Sequence, residues 1–321
     1  MYKILGMGNA LTDVLVQLPS DELLIELGLP RGSMQLIDKS TFDALQHRIE
    51  EMPKQLVCGG SAANTMTGVS KMGITSGFVG KVHADHVGDH YRNDLEHHGV
   101  VAHMFEDGQS SGQCLVFISP DGQRTFATFL GAAASFMAHE IEPSLFEGYD
   151  LFYIEGYLVQ NHELILAAIV HAKAAGLRVA LDLASYNVVE DNREFLCSLI
   201  ETHVDLVFAN EEEAMALTGM EPTKALAWMA ERVDIAIVKL GEKGAMACRG
   251  DETVGMPAVK AICVDTTGAG DLFAAGFLYG LASEKTLSDC LRYGTIAAGK
   301  VVEYIGPKLD QAGWDAVLCH Y

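Results

Sequence analysis

The stretch Val-Asp-Thr-Thr-Gly-Ala-Gly-Asp-Leu-Phe, residues 264–273, places small residues and a carboxylate directly before an apolar segment. Apolar residues recur at helical spacing from Leu272 to Leu281, which predicts a buried helix that begins between residues 268 and 271. Backbone N–H groups at the start of a helix lack partners and lie at the positive end of the helix dipole. Because glycines let an anion approach that backbone closely, the pattern predicts a phosphate site.

Asp271 is predicted to lie at the mouth of this anion site. A carboxylate there can accept the proton of an attacking hydroxyl while the backbone stabilises charge on a phosphoryl group in transfer. The alternative is structural, since Thr or Asp before a helix is ordinary capping chemistry and glycines often end a strand. Spacing alone leaves both interpretations open.

Two further segments combine a helix start with polar side chains. Residues 58–64 read CGGSAAN, and Ser61 is positioned to cap the helix that follows the two glycines. Residues 210–213 read NEEE after an apolar strand, where acidic residues in the first helical turn stabilise the dipole. By themselves, both segments are more typical of helix starts than of binding sites.

Residues 265–273 resemble the C-terminal signature of the PfkB (ribokinase) family of sugar and nucleoside kinases, and the resemblance extends over nearly the whole chain. It implies that Asp271 is the catalytic base. It further implies that the backbone of Gly268, Ala269 and Gly270 forms the anion hole for the transferred phosphoryl group.

The resemblance also implies an acceptor site in the N-terminal half. Gly59, Gly60 and Asn64 match a Gly-Gly-x-x-x-Asn segment that binds sugar hydroxyls in the family. Asp13 falls where the family places a carboxylate that accepts hydrogen bonds from two vicinal hydroxyls. Without the resemblance, Asp13 is a single acidic residue with no distinguishing pattern.

The donor implied by the resemblance is ATP with Mg²⁺. Asn210 and Glu213 match the family motif Asn-x-x-Glu, which organises Mg²⁺ and phosphate through water. This assignment competes with the structural interpretation of the same residues as a helix start.

Residues 238–244 are similar to the family's nucleotide loop, which implies ATP contacts at Lys239, Gly241 and Gly244, together with Thr267 of the signature. Lys239 also fits a simple surface charge. Carbonyl groups near Asp265 and Thr267 could hold K⁺ or Na⁺ as in ribokinases, although many nucleoside kinases dispense with that ion.

Within the family, residues 7–13, 34–36 and 153–157 most resemble adenosine kinases, in which a Gln and an aromatic residue enclose the purine. This implies substrate contacts at Gln35 and Tyr157, for which a hairpin and a core position are the plainer alternatives. Arg124, after a predicted hairpin turn, is a candidate phosphate contact or an exposed charge. The Asp-x-Asn-x-Arg sequence of many sugar kinases is absent, because LDLAS stands at 181–185.

The order of predicted elements favours an α/β fold. Apolar strands at 2–5, 76–79, 151–154, 178–183, 206–209 and 236–239 alternate with helical patterns at 62–72, 163–175, 211–217 and 223–232. This alternation predicts a mainly parallel sheet with helices on both faces. The resemblance implies a ribokinase-like three-layer α/β/α fold in one domain, 1–321, with a small β-sheet lid built discontinuously from about 11–40 and 100–131.

Composition narrows the function classes. A chain of 321 residues with 49% hydrophobic content can bury a large core. A formal net charge of −21 argues against general binding of nucleic acid or anionic membranes. Seven cysteines without a C-x-x-C pair are typical of free thiols in a reducing compartment, and with no evident signal peptide they predict a cytoplasmic protein.

The sequence therefore predicts an ATP- and Mg²⁺-dependent kinase that phosphorylates a primary hydroxyl of a ribonucleoside, with adenosine favoured. The first alternative is a kinase of the same family that acts on a free sugar such as ribose or fructose. The second is a non-catalytic regulator that binds a nucleotide or sugar. The pattern is compatible with a monomer or a homodimer.

Overall fold

The computed structural model describes residues 2–107 and 109–321. Met1, within the predicted domain 1–321, and Gly108, within the predicted lid range 100–131, lie outside the described residues. The strands are β1 (Lys3–Met7), β2 (Leu11–Gln17), β3 (Met34–Leu36), β4 (Lys54–Cys58), β5 (Thr75–His83), β6 (Val100–Asp107), β7 (Gly112–Ile118), β8 (Arg124–Phe129), β9 (Leu151–Glu155), β10 (Arg178–Asp182), β11 (Leu206–Asn210), β12 (Ile235–Lys239), β13 (Ala245–Arg249) and β14 (Glu252–Met256).

The helices are α1 (Glu22–Glu26), α2 (Lys39–Arg48), α3 (Ser61–Lys71), α4 (His86–His97), α5 (His162–Ala174), α6 (Tyr186–Asp191), α7 (Arg193–Thr202), α8 (Glu211–Thr218), α9 (Pro222–Ala230), α10 (Ala269–Ala282), α11 (Leu287–Val301) and α12 (Gln311–Leu318). All four predicted helical patterns are found, as α3, α5, α8 and α9. Within the described part of the chain, no helix is long and apolar enough to cross a membrane.

The main sheet has nine strands in the order β14-β13-β12-β11-β10-β9-β1-β5-β6. Neighbouring strands are parallel from β6 to β12, and each of the six predicted buried strands lies in this part. Their nearly continuous apolar sequences are typical of parallel strands that are covered on both faces. The antiparallel strands β13 and β14 extend one edge, and the alternation did not predict them.

Helices cover both faces of the main sheet. One buried cluster includes Met66 of α3, Phe277 of α10 and Leu291 of α11. The cluster on the other face includes Ile165 of α5 and Leu217 of α8. The sheet between these two cores gives the three-layer α/β/α architecture that the sequence predicts.

The second sheet has five strands in the order β3-β8-β7-β2-β4. It differs from the predicted lid in two places. Strand β6, placed in the lid range 100–131, pairs with β5 at the edge of the main sheet. Strand β4, outside the predicted ranges, pairs with β2 in the small sheet. Both strands form through long-range pairing that local turn signals do not report.

The small sheet has its own core. Val14 and Phe117 pack on one face against Leu24 of α1 and against Phe42 and Leu45 of α2. Because this face is covered by helices α1 and α2, the opposite face is the one that carries Asp13 toward the site described below.

Candidate active site

Asp271 lies in the first turn of α10, as the apolar spacing predicts. The residue before the helix, Gly268, has φ 79° in the left-handed region, and no side chain among the described residues caps this helix by a hydrogen bond. A Cβ atom at Gly268 would also lie 2.6 Å from Cβ of Pro307. Glycine is therefore required here both by conformation and by space, and the helix start stays open to an anion.

Two side chains of α3 hold the Asp271 carboxylate. Ser61 Oγ donates to Oδ1 at 2.7 Å, and Asn64 Nδ2 donates to Oδ2 at 2.9 Å. Ser61 was expected to cap α3, but its hydroxyl is committed to Asp271 and Gly60 is the cap residue. The contact of Ser61 with Asp271 was not predicted from the sequence.

The pKa of Asp271 is raised to about 6, because the surrounding protein desolvates the carboxylate. Hydrogen bonds from Asn64 and Ser61 oppose this shift by favouring the charged form, and the charge of Asp182 adds to it. The carboxylate is therefore mostly ionised at neutral pH. Its pKa lies only about one unit below pH 7, which suits a general base.

Lys239 is not a surface charge. Its Nζ lies 3.0 Å from Oδ2 of the buried Asp182, and a Cβ atom at Gly270 would lie 3.4 Å from the same Nζ. Although burial lowers the pKa of Lys239, the carboxylates of Asp182 and Glu213 raise it above its ordinary value. A charged ammonium group therefore borders the anion site at the start of α10.

Asn210 and Glu213 form a reciprocal cap at the start of α8. Asn210 Oδ1 accepts from Glu213 N at 2.8 Å, while both Glu213 oxygens accept from Asn210, each at 2.7 Å. Burial raises the pKa of Glu213 to about 7, and the charge of Lys239 opposes the shift. Asn210 and Glu213 therefore cap the start of α8 in the structure, which is the helix-start interpretation of this motif.

The same residues are suited to Mg²⁺ only in an indirect mode. Among residues 2–107 and 109–321, no group of three or more His, Cys, Asp or Glu side chains is arranged to hold a metal. Mg²⁺ usually keeps several waters and is bound through phosphates and one or two carboxylates. The carboxylates of Asp182, Glu213 and Asp271 around the single Lys239 charge leave excess negative charge that fits this mode.

Asp13 faces Gly59 at the start of the acceptor segment. A Cβ atom at Gly59 would lie 2.9 Å from Asp13 Oδ2, so a larger residue would displace the carboxylate. Desolvation raises the pKa of Asp13 to about 7; Arg124 and Lys308 lower it, and Asp271 raises it further. The predicted acceptor carboxylate and the predicted base therefore lie close enough to influence each other.

Arg124 connects the small sheet to the signature loop. Its guanidinium lies 2.7 Å from Asp265 Oδ2, and both side chains are largely buried. Asp265 also accepts from the amides of Thr267 at 3.0 Å and Gly306 at 2.7 Å. These contacts favour the charged form and lower the pKa of Asp265 despite its partial burial.

The register of the small sheet separates Gln35 from Asp13. Asp13 pairs with Cys114, and the pairing continues through Thr128 to Leu36, so these side chains share one face. Gln35 pairs with Ala127, which packs in the core on the opposite face. Gln35 therefore lies on the face of the small sheet opposite to Asp13, and its predicted contact with the substrate stays a prediction.

The residues on either side of Gln35 lie on the face of the small sheet that carries Asp13. Met34 and Leu36 lie on the face of Asp13 and expose 47% and 51% of their surface, which leaves apolar area free on the side of the site. Alternation along β3 would identify them once the register is known.

Tyr157 lines a cleft of about 490 Å³. Burial raises the pKa of Tyr157, and its hydroxyl donates to the Ala184 carbonyl at 3.4 Å. The cleft is lined by Tyr157, Asn9, Leu130, Phe136 and other residues.

The two glycines of the predicted nucleotide loop have different roles. Gly244 has φ 103°, and a Cβ atom there would lie 1.9 Å from the Met256 carbonyl oxygen, so packing alone requires a glycine. Gly241 has φ 55° and open space around it. Their predicted contacts with ATP stay predictions, as does the K⁺ or Na⁺ site near Asp265 and Thr267.

Sequence reasoning missed three residues of this site: Ser61, Asp182 and Glu155. Asp182 appeared only as a departure from a sugar-kinase motif, although it ends the apolar strand β10. Glu155 ends β9 in the same way. The available signal was a carboxylate at the end of a buried parallel strand, which is where α/β folds place their sites.

This fold and this site, with a buried carboxylate at an open helix start and a sheet covered on both faces, are those of a phosphotransferase. The sequence profile of the pfkB family carbohydrate kinases matches residues 34–312. The chain belongs to this family and is a kinase.

Solved structures and curated relatives agree on the family but differ in their names. The adenosine kinase from Sinorhizobium meliloti is 34% identical with a TM-score of 0.87, over 98% of both chains. A structure described as a "probable sugar kinase protein" from Rhizobium etli is 33% identical with a TM-score of 0.88, over 98% of this chain and 97% of the other. A 5-dehydro-2-deoxygluconokinase from Lacticaseibacillus casei is 28% identical over 79% of this chain and 84% of its own length.

Proposed function

We propose that this kinase uses ATP to phosphorylate a primary hydroxyl of a ribose-containing nucleoside, with adenosine as the first candidate. The observation that carries the proposal is the setting of Asp271. Its carboxylate lies in the first turn of α10, is held by Ser61 and Asn64, and has a pKa of about 6.

In the proposed reaction, Asp271 accepts the proton of the acceptor hydroxyl as the bond to phosphorus forms. The backbone at 268–270 stabilises the charge that develops on the phosphoryl oxygens, and Lys239 contributes a positive charge beside Gly270. Bound ATP would supply the phosphoryl group, with Mg²⁺ held through water by Asn210 and Glu213. Gly241, Gly244 and Thr267 are further proposed contacts with the nucleotide.

The cleft beside Tyr157 supports a nucleoside over a free sugar. Its volume of about 490 Å³ lies in the range of small-molecule sites. Its walls combine apolar side chains, such as Phe136 and Tyr157, with polar ones, such as Asn9, and this mixture suits a flat heterocyclic base with polar edges.

The second candidate is a sugar kinase with the same base and anion site. It is favoured by the names of the Rhizobium etli structure and the Lacticaseibacillus casei relative. Against it stands the sequence LDLAS at 181–185, in which Asp182 is paired with Lys239.

A panel of nucleosides and free sugars, each assayed for ATP consumption and for the phosphorylated product, tests the proposal. We expect the highest kcat/KM with adenosine or another ribonucleoside. A free sugar as the best acceptor would replace the first candidate by the second. Calorimetric binding without product for every compound would instead support a regulator.

The role of Asp271 is tested by Asp271→Asn. We expect turnover to fall by at least about 1,000-fold while substrate affinity and Tm change little. Asp289→Asn is the matched control, because Asp289 occupies the equivalent position in the first turn of α11 and leaves 38% of its side chain exposed. Near-normal turnover of Asp271→Asn would contradict the assignment of the base.

A further inference from the structure

Helix α3 begins without a capping side chain of its own. Its cap residue is Gly60, with φ 90°, and the hydroxyl of the next residue, Ser61, is bound to Asp271. The first amides of a helix need acceptors when they are buried. The segment that supplies both Asp271 partners, Ser61 and Asn64, therefore depends on an acceptor from elsewhere in the chain.

Glu155, at the end of β9, is that acceptor. Its Oε2 accepts from the amide of Ala62 at 2.9 Å. Its Oε1 accepts from the backbone and the side-chain amide of Asn9, at 2.8 and 3.1 Å. One buried carboxylate thus joins three segments: the end of β9, the connection from β1 to β2, and the first turn of α3.

Glycines in the neighbouring segments make room for this carboxylate. A Cβ atom at Gly8 would lie 2.4 Å from Glu155 Oε2, so the absence of a side chain at Gly8 gives Glu155 its place. A Cβ atom at Gly60 would lie 2.6 Å from the Asn9 carbonyl oxygen. The absence of side chains at these two glycines therefore allows the three segments to meet.

Burial of a carboxylate has a free-energy cost that opposes the stability of the fold. Glu155 is 1% exposed, and desolvation raises its pKa to about 7, even though the bonds from Asn9 and Ala62 favour the charged form. Hydrophobic residues of similar volume often stabilise such positions at least as well as buried charges. This cost points to a task other than stability.

We propose that Glu155 is a positioning residue for phosphoryl transfer, which fixes the first turn of α3 and thereby holds Ser61 and Asn64 against Asp271. The same contacts orient Asn9 at the wall of the cleft beside Tyr157. Glu155 acts through these neighbours and is not itself the base. This inference rests on the proposed role of Asp271 and extends it to a residue that no motif identified.

The test compares Glu155→Gln with a control on the same strand. In Glu155→Gln, one oxygen becomes an amide, so either Ala62 or Asn9 loses its acceptor. We expect kcat to fall about 10- to 100-fold, because small misplacements of reacting groups have effects of this size. The KM for ATP should stay within about twofold, because ATP contacts lie at other segments.

Asp150→Asn is the matched control. Asp150 precedes the same strand β9 at its other end and accepts from the amide of Lys3 at 2.8 Å. The Asp150→Asn variant should leave kcat unchanged. A loss of kcat in the control equal to that in Glu155→Gln would show that any disturbance of β9 has the same effect, and would overturn the proposal.

A double-mutant cycle with Asn64→Ala separates positioning from general damage. If Glu155 acts through α3, Asn64→Ala should cost much less in kcat in the Glu155→Gln background than in the wild type. Fully multiplicative losses would overturn the proposal. If Glu155→Gln does not fold, Gly8→Ala, which displaces the carboxylate by contact and keeps its charge, serves in the same cycle.

Amide hydrogen exchange distinguishes failure of this inference from failure of the proposed function, because it needs no turnover. We expect the backbone amide of Ala62 or of Asn9, whichever loses its acceptor, to exchange at least about tenfold faster in Glu155→Gln than in the wild type, with no change in Asp150→Asn. Unchanged exchange at both amides refutes the positioning contact whatever the substrate is. Faster exchange with no activity in any wild-type assay refutes the kinase substrate assignment only.

Discussion

Removing Asn64 should shift the pH dependence of turnover. Asn64→Ala deletes the bond to Asp271 Oδ2, at 2.9 Å, which holds the pKa of that carboxyl near 6 against the effect of burial. A hydrogen bond to a charged group contributes about 1.5–3 kcal/mol, and about 1.4 kcal/mol corresponds to one pKa unit. The pKa of Asp271 should therefore rise by about one to two units, with the lower value favoured because the site is partly exposed.

The sign of the effect follows from the charge of the base. Catalysis needs ionised Asp271, so activity is lost as pH falls through its pKa, and a raised pKa moves that loss to higher pH. At pH 7 the ionised fraction should fall from about nine tenths to between about one tenth and one half, while at pH 9 the variant is again mostly ionised. The defect should shrink as pH rises.

The assay is kcat/KM for the preferred acceptor from pH 5 to 9, since this quantity reports groups of the free enzyme. Asn192→Ala is the control: its amide donates to the Val188 carbonyl at 2.9 Å, at the junction of α6 and α7. It should leave the acid limb in place. An equal loss at every pH in Asn64→Ala, with an unmoved acid limb, would refute the reasoning.

Two further predictions concern the cations of the site. Lys239→Met leaves the buried Asp182 unpaired, so we expect the free energy of unfolding in urea to fall by about 3–5 kcal/mol and turnover to fall by at least about tenfold. Adding Asp182→Asn should restore stability but not turnover. Recovery of both would exclude a role of Lys239 in binding phosphate. Arg124→Gln removes the ion pair with Asp265, and we expect the KM for ATP to rise about tenfold; a lower Tm with an unchanged KM would reduce Arg124 to a structural contact.

Local patterns were sufficient for much of the fold and for the position of Asp271, whereas its proposed role as the base came from the family resemblance. The start of α10 follows from the spacing of Leu272 and its successors, and the six buried strands follow from their apolar runs, because these features depend on neighbours within one element. The placement of Asp271 in the first turn of α10 needed no long-range information.

Contacts across the fold could not be predicted in the same way. The side of β3 that shares a face with Asp13 depends on a register through three other strands, and this register puts Leu36 rather than Gln35 on that face. Ser61 looked like a cap because its local sequence favours one, whereas Asp271, 210 residues away, takes its hydroxyl and Glu155 takes over the cap. In both cases a long-range contact decides the position of the side chain, and the local sequence does not reveal that contact.

The electrostatics of the site explain how a chain with a formal net charge of −21 can suit a polyanion. The cations Lys239 and Arg124 near the site are already paired, Lys239 with Asp182 and Arg124 with Asp265. A triphosphate would add negative charge to a region where burial has already raised the pKa of Glu213 to about 7. A divalent ion that enters with the phosphates would relieve that repulsion, and because Mg²⁺ usually keeps several of its waters, contact with Glu213 through water is the proposed mode. In the proposed function, the helix start at 268–270 and the accompanying cation would supply the attraction for phosphate at short range, where salt screens the net charge of the rest of the chain.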